Sequence, residues 1–253
     1  MIDPNSVRLV PSVPQPVSGQ PLQQAVLGSG HYVAEEFRFL ASKVAGIASE
    51  RFTTIGVVST GPGEGKTTVA LGLTAALARI SQHRALLLEA DLRQPAVERY
   101  LGMPRIGGVS DFLAGHATSV PVRTIAPPGF SVLAAGRERL ARPELLGSER
   151  MASLIGACQL SYGYVVVDCP PLDPVADAVA LQDILDGFLL VIRARRSAKA
   201  AIERAVSRLK ENRIRGVVFN DQPEVLPLGY AYGYGYQDER ERYLKSDESE
   251  EQR

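Results

Sequence analysis

From residue 53 onward, short apolar runs alternate with segments of helical spacing. "TTIGVVST" (53–60), "RALLLEA" (84–90), "FSVLAAG" (130–136), "YVVVDCPP" (164–171), "GFLLVIRA" (187–194) and "RGVVFN" (215–220) are apolar along most of their length. Such runs predict strands buried on both faces. Between them, "GKTTVALGLTAALARI" (65–80), "PAVERYL" (95–101), "PELLGSERMASLIGACQ" (143–159), "VADAVALQDIL" (175–185) and "SAKAAIERAVSRLKEN" (197–212) predict helices. The first of these is rich in small residues, which suits close packing. Upstream, Val33, Phe37, Leu40, Val44 and Ile47 recur at helical spacing and predict a helix over 31–48. The alternation predicts an α/β fold, a doubly wound and mostly parallel sheet flanked by helices. Residues 1–30 are rich in Pro, Gly, Ser and Gln and are expected to be a flexible arm. The domain is expected over 31–222. The tail 223–253 is of low complexity, first Tyr/Gly and then charged.

Composition narrows the picture mainly by exclusion. The 253 residues carry 28 Lys+Arg and 28 Asp+Glu, so global charge gives no reason to expect a nucleic-acid partner. Two cysteines, Cys158 and Cys169, build no disulfide framework, which makes a reducing cytoplasm the expected location. The N-terminal residues lack the basic flank and apolar run of a signal peptide. No stretch approaches the roughly 20 apolar residues that span a bilayer. Work at a membrane would therefore need another protein as recruiter. The segment 193–215 is basic and suits DNA or anionic lipid, but Glu203 and Glu211 interrupt it, and an exposed helix face explains it better. His31, His83 and His116 are scattered and form no site.

The chemistry concentrates at strand ends. In "VVSTGPGEGKTTVA", Gly61, Gly63 and Gly65 allow a tight loop whose N–H groups wrap a polyphosphate, with a helix N-terminus behind it. Lys66 would reach the β/γ-phosphates, and the Thr67 hydroxyl would ligate Mg²⁺. Gly61, Pro62, Gly63, Glu64, Gly65, Lys66, Thr67 and Thr68 form the expected nucleotide-binding run. Thr60 stands where the strict G-x4-G-K-[ST] pattern has glycine. Asp168 closes "VVVD" at the carboxyl edge, where parallel sheets place ligand groups. Glu89 and Asp91 sit two apart at another strand end and share a face, which would bring two carboxylates and Arg93 toward the phosphates. A solvated charged loop is the competing account of that pair. Cys169 reads as packing rather than as a reactive thiol.

Taken together, these segments resemble the bacterial tyrosine kinases of capsule and exopolysaccharide systems over roughly residues 31–243. That family's first nucleotide motif, [AS]-x-x-P-G-E-G-K-[ST], is matched at Ser59, Pro62, Gly63, Glu64, Gly65, Lys66 and Thr67. Its second, an apolar triplet and D-x-D-x-R, is matched at Asp91 and Arg93, with Glu89 for the first aspartate. Its third, an apolar triplet and D-[ST]-P-P, is matched at Asp168, Pro170 and Pro171, with Cys169 substituted. "GVSDFLAG" (108–115) and "RPELL" (142–146) look like two further family segments. Of the family's E-x-x-R-x-x-R helix, Glu35 and Arg38 match and Ala41 replaces the second arginine, with Lys43 nearby.

The resemblance implies ATP and Mg²⁺ as cofactors and trans-autophosphorylation of a terminal tyrosine cluster. It implies that Thr67 and Asp91 hold Mg²⁺, that Asp168 acts on it through water, that Glu89 takes the tyrosine proton and that Asn220 contacts adenine. The acceptors would be Tyr230, Tyr232, Tyr234, Tyr236 and Tyr243 in "GYAYGYGYQDERERY". It further implies a homo-oligomer, a transmembrane polysaccharide co-polymerase whose cytoplasmic segment activates the kinase, and an opposing tyrosine phosphatase. Two other functions share the fold. A MinD/ParA-type ATPase switch would carry a lysine early in the loop, where Gly61 stands. A non-catalytic nucleotide-binding modulator would bind ATP without labelling any tyrosine.

Overall fold

The computed structural model describes residues 3–11, 32–47, 54–80, 84–126, 129–137, 143–174 and 177–221. The five expected acceptor tyrosines, the 223–253 tail and most of the 1–30 arm lie outside them. In chain order, a turn of 3₁₀ helix (Pro4–Ser6) precedes strand β1 (Arg8–Pro11), followed by helix α1 (Tyr32–Ile47), β2 (Thr54–Ser59), α2 (Lys66–Ile80) and β3 (Ala85–Glu89). Two short helices, α3 (Val97–Tyr100) and α4 (Val109–Leu113), lead to β4 (Ser119–Ile125) and β5 (Phe130–Leu133). Then come α5 (Glu149–Ser161), β6 (Tyr164–Asp168), β7 (Gly187–Arg193), α6 (Lys199–Val206) and β8 (Ile214–Asn220).

The strands form one sheet in the order β1-β4-β5-β3-β6-β2-β7-β8. All neighbours are parallel except β4 and β5. Successive side chains along a strand fall on opposite faces. Thus Leu86 and Leu88 of β3 enter one core with Val165, Val167 and the inner side of α5. Ala85 and Leu87 enter the other with Val166, Val191 and α2. Helix α2 is buried on almost every side because α1 covers it, and Gly72 is the point of closest approach. A Cβ there would fall 2.3 Å from the Phe37 ring.

The structure corrects several expectations. Residues 3–11 are not a flexible arm: β1 pairs with β4 from Arg8↔Ser119 to Pro11↔Val122. Val7 is buried, and Pro4 lies against Gly156, where a Cβ would come within 2.9 Å. Strand β4 was not expected, because Pro121 and Arg123 interrupt its apolar run. It lies next to the sheet edge, and the buried Arg123 guanidinium is neutralised by Glu98 at 2.5 Å. The helix expected over 175–185 is a 3₁₀ segment, Asp177–Leu181. The one expected over 143–159 divides into a 3₁₀ turn (Pro143–Leu145) and α5, whose N-terminus is capped by Ser148 accepting from the Met151 N–H at 3.3 Å. The helix expected over 197–212 ends at Val206.

Candidate active site

The carboxyl ends of β3, β6, β2, β7 and β8 lie side by side and carry the groups that the sequence singled out. The loop between β2 and α2 turns through Gly63 (φ 76°) and Gly65 (φ 92°), a backbone region that suits glycine. Glu64 does not point outward toward a ligand. Its carboxylate accepts the Thr60 N–H (2.7 Å), the Gly61 N–H (3.1 Å) and the hydroxyls of Thr60 and Ser197. It therefore braces the loop from within. Asn220, expected at adenine, donates its amide to the Glu64 carbonyl at 2.9 Å. A side chain at position 65 would fall 2.1 Å from that amide nitrogen. Arg193 reaches the Gly63 carbonyl at 3.4 Å while pairing with Asp221 at 2.8 Å. The ends of β7 and β8 thus hold the loop in place.

Lys66 opens α2 and turns toward the two neighbouring strand ends. Its ammonium lies 2.7 Å from Asp91 Oδ2 and 4.0 Å from Asp168 Oδ1. Burial alone would lower its pKa, but the Asp168 and Asp91 charges outweigh burial and raise it above its ordinary value. The strand ends are tied together by backbone, since Ala90 N–H and Asp91 N–H both donate to the Asp168 carbonyl, at 2.9 and 3.1 Å. Asp91 also accepts the Gln94 N–H at 3.0 Å.

Asp168 is fully buried, and neither carboxylate oxygen has a hydrogen-bond partner at good geometry. Burial pushes its pKa up to about 6, against the pull of Lys66 and the nearby Thr67 hydroxyl. A buried carboxylate left this way is costly unless something satisfies it. A hydrated Mg²⁺ would do so. Asp168, Asp91 and the Thr67 hydroxyl would supply the oxygens, and no cluster of three or more His, Cys, Asp or Glu forms a closed cage among the described residues. Few protein oxygens with room for phosphates and water is the donor set Mg²⁺ favours.

Glu89 is placed differently from expectation. It lies on the α2 side of the sheet beside Asp168, but it is 0% exposed. One oxygen accepts the N–H groups of Ala96 (2.5 Å) and Val97 (2.8 Å) at the start of α3. The other accepts the Ala135 N–H at 2.9 Å, just beyond β5. Burial raises its pKa to about 7, opposed by those three bonds. A carboxylate enclosed in this way organises the loop around it. Arg93 is held by Asp177, which sequence reasoning did not single out. Its Nη2 lies 3.3 Å from Asp177 Oδ1, and its Nε bonds the other oxygen. Cys169 is buried and its S–H faces the Val167 carbonyl at 3.4 Å, so it is packing, as read.

No protein-family model matches the chain. EpsB of Ralstonia solanacearum, assigned as a tyrosine-protein kinase, is 36% identical over 194 residues, 75% of this chain and 25% of EpsB. ExoP of Rhizobium meliloti, a succinoglycan biosynthesis transport protein, is 31% identical over 180 residues, 69% of this chain and 23% of ExoP. The chain thus spans about a quarter of the length of these curated relatives. The solved kinase domain of the Escherichia coli tyrosine kinase ETK superposes with a TM-score of 0.73 at 26% identity, covering 85% of each chain. The chain belongs to the bacterial tyrosine-kinase family.

Within that family, this chain's helix α1 keeps the Glu35–Arg38 pair at 2.6 Å. Ala41, in the second arginine's place, is wholly buried against α2, and Lys43 instead lies over the Phe39 ring at 5.1 Å. Among the described residues of this bacterial tyrosine-kinase domain, no helix is long and apolar enough to cross a membrane. Its Asp168 also sets a pH dependence. A carboxyl group whose folded pKa is raised favours the fold while protonated, and that stability is lost as pH rises through the folded value. From Asp168 the melting temperature of the ligand-free protein is therefore expected to fall as pH rises from about 4 to about 6. Asp168→Asn should remove this part of the fall, which levels off above about 6, where Asp168 titrates in the fold. A pH–melting series on both proteins checks this.

Proposed function

We propose that this domain is an ATP-dependent tyrosine autokinase that phosphorylates Tyr230, Tyr232, Tyr234, Tyr236 and Tyr243 of another copy, within a capsule or exopolysaccharide system. The observation that carries the proposal is the arrangement at three strand ends. A loop lysine faces Asp91, and Asp168 is buried beside it with both oxygens unsatisfied. Bound Mg²⁺-ATP supplies the transferable phosphoryl group and its charge neutralisation. Thr67, Asp91 and Asp168 would hold the ion, and the run Gly61–Thr68 the phosphates. Phosphoryl transfer needs mostly positioning and neutralisation, so the chain's task is to keep this edge rigid and dry. Glu64, Asn220 and Arg193 fix the loop, and Glu89 fixes the backbone beside Asp91. Glu89 is here a positioning residue and not the base.

The names of EpsB and ExoP support the link to polysaccharide. The domain is cytoplasmic in this proposal. It is recruited to the membrane and activated by the cytoplasmic segment of a transmembrane co-polymerase, works as a homo-oligomer and is reversed by a tyrosine phosphatase. The test is to incubate the purified chain with Mg²⁺-ATP, with and without such a segment, and to follow phosphate additions by intact mass and peptide mapping. Phosphotyrosine within 230–243 is the expected result. A chain unmodified under every condition refutes the kinase, and modification only elsewhere refutes the acceptors.

A further inference from the structure

The basic segment 193–215 holds nine Lys or Arg and two Glu. Most of its charges are engaged. Arg193 pairs with Asp221, Arg208 with Asp173 at 2.7 Å, and Lys210 with Asp183 at 2.5 Å. Arg204 lies 3.8 Å from Asp173, Arg213 donates to the Leu185 carbonyl at 2.6 Å, and Arg215 has its own partner. Arg195 and Arg196 differ. Both are exposed, and neither has an ion-pair partner among the described residues. They follow β7 directly, in a turn closed by the Arg196 and Ser197 N–H groups donating to the Arg193 carbonyl, both at 3.2 Å. Lys199, also exposed, opens α6 just beyond. Arg193 touches Gly63 and Ser197 touches Glu64, so Arg195 and Arg196, with Lys199 beside them in an exposed pair with Glu203 at 3.7 Å, stand at the rim of the nucleotide loop.

The complementary charge is in the tail. Residues 222–253 carry eight acidic and four basic groups, and four acids, Asp247, Glu248, Glu250 and Glu251, fall within five residues. The net charge of zero thus hides a separation of charge between the rim and the tail. The distance also fits. Asp247 lies four positions after Tyr243, about 13 Å of extended chain, so a tyrosine near the loop leaves the acidic block within reach of the rim.

We infer that Arg195, Arg196 and Lys199 form a docking rim for the acidic block Asp247–Glu251 of a second copy of this chain, holding its tyrosines at the nucleotide loop. The inference deepens the kinase proposal but is measured without catalysis. Electrostatic docking of this kind sets encounter and register more than final affinity, and it weakens with salt.

The test uses the full chain and a fluorescent synthetic peptide of residues 226–253, with binding read by anisotropy. Asp247→Asn/Glu248→Gln/Glu250→Gln/Glu251→Gln in the peptide, or Arg195→Glu/Arg196→Glu in the chain, is expected to weaken binding by about fivefold to tenfold, with ATP binding unchanged. A peptide bearing lysine at those four positions should recover affinity for the Arg195→Glu/Arg196→Glu chain and not for wild type. Affinity insensitive to both sets of changes overturns the rim. Peptide binding that appears only after neutralising the chain's own acidic block overturns the assignment to a second copy. Loss of binding to anionic phosphatidylglycerol vesicles in the arginine variant, with no peptide bound by wild type, overturns it in favour of a lipid surface. If docking behaves as stated while no tyrosine is phosphorylated, the kinase proposal fails and the rim stands.

Discussion

Lys66→Met is expected to reduce phosphotyrosine formation by about 100-fold or more, the scale on which single preorganised charged groups act at developing negative charge. The reason is visible in the ligand-free site. Lys66 is the ammonium that faces both Asp91 and Asp168, and its own pKa is raised by them. Without it, the two carboxylates face each other with no cation between them and the phosphates lose their counter-charge. Methionine keeps the length and helix propensity of lysine at the start of α2, so the fold should persist. Intact mass after incubation with Mg²⁺-ATP reads the loss, and a thermal melt confirms that the chain is folded. Incorporation at the wild-type rate would remove the loop from the mechanism.

Glu89→Gln is the second large effect, and it separates two roles. A general base replaced by its amide loses rate while the fold stays intact. A brace replaced by its amide loses stability first. The amide keeps one acceptor oxygen and puts an NH₂ group where Glu89 now receives N–H donors from Ala96 and Val97 on one side and Ala135 on the other. Leaving one or two buried N–H groups unpaired costs about 2–4 kcal/mol. For a chain of this size the melting temperature should drop by roughly 5–15 °C. Kinase activity should fall in parallel as the backbone next to Asp91 loosens. Glu89→Asp, one methylene shorter, should also melt lower because it cannot span both donor sets. An unchanged melting temperature with a large loss of rate would restore Glu89 as the base.

The strand ends were legible because each element there is dictated locally. Apolar runs ending in Asp168 or Glu89 give buried parallel strands, and Gly63, Gly65 and Lys66 at the start of α2 give the loop. That Glu89 closes a buried strand beside Asp168 was legible from the apolar runs. The partners of Glu89 were not. Ala96, Val97 and Ala135 offer only backbone, which no side-chain pattern announces. Asp177 was hidden similarly, in a segment whose apolar spacing suggested a longer helix, and it meets Arg93 only because the sheet brings the loops after β3 and β6 together. Strand β4 escaped because its arginine is buried by a distant glutamate, and β1 because proline-rich composition argued for disorder in a stretch that packs on α5.

The place of β1 has a consequence for how the chain acquires its structure. Arg8 is made early and its partner Ser119 late, so the edge of the sheet cannot close until β4 has formed. Until then β4, already antiparallel to β5, has an open hydrogen-bonding edge. Closing so long a loop adds entropy cost without local reward, which places β1 docking among the last steps of folding. Residues 8–11 thus act as a late seal against strand pairing between unfinished chains.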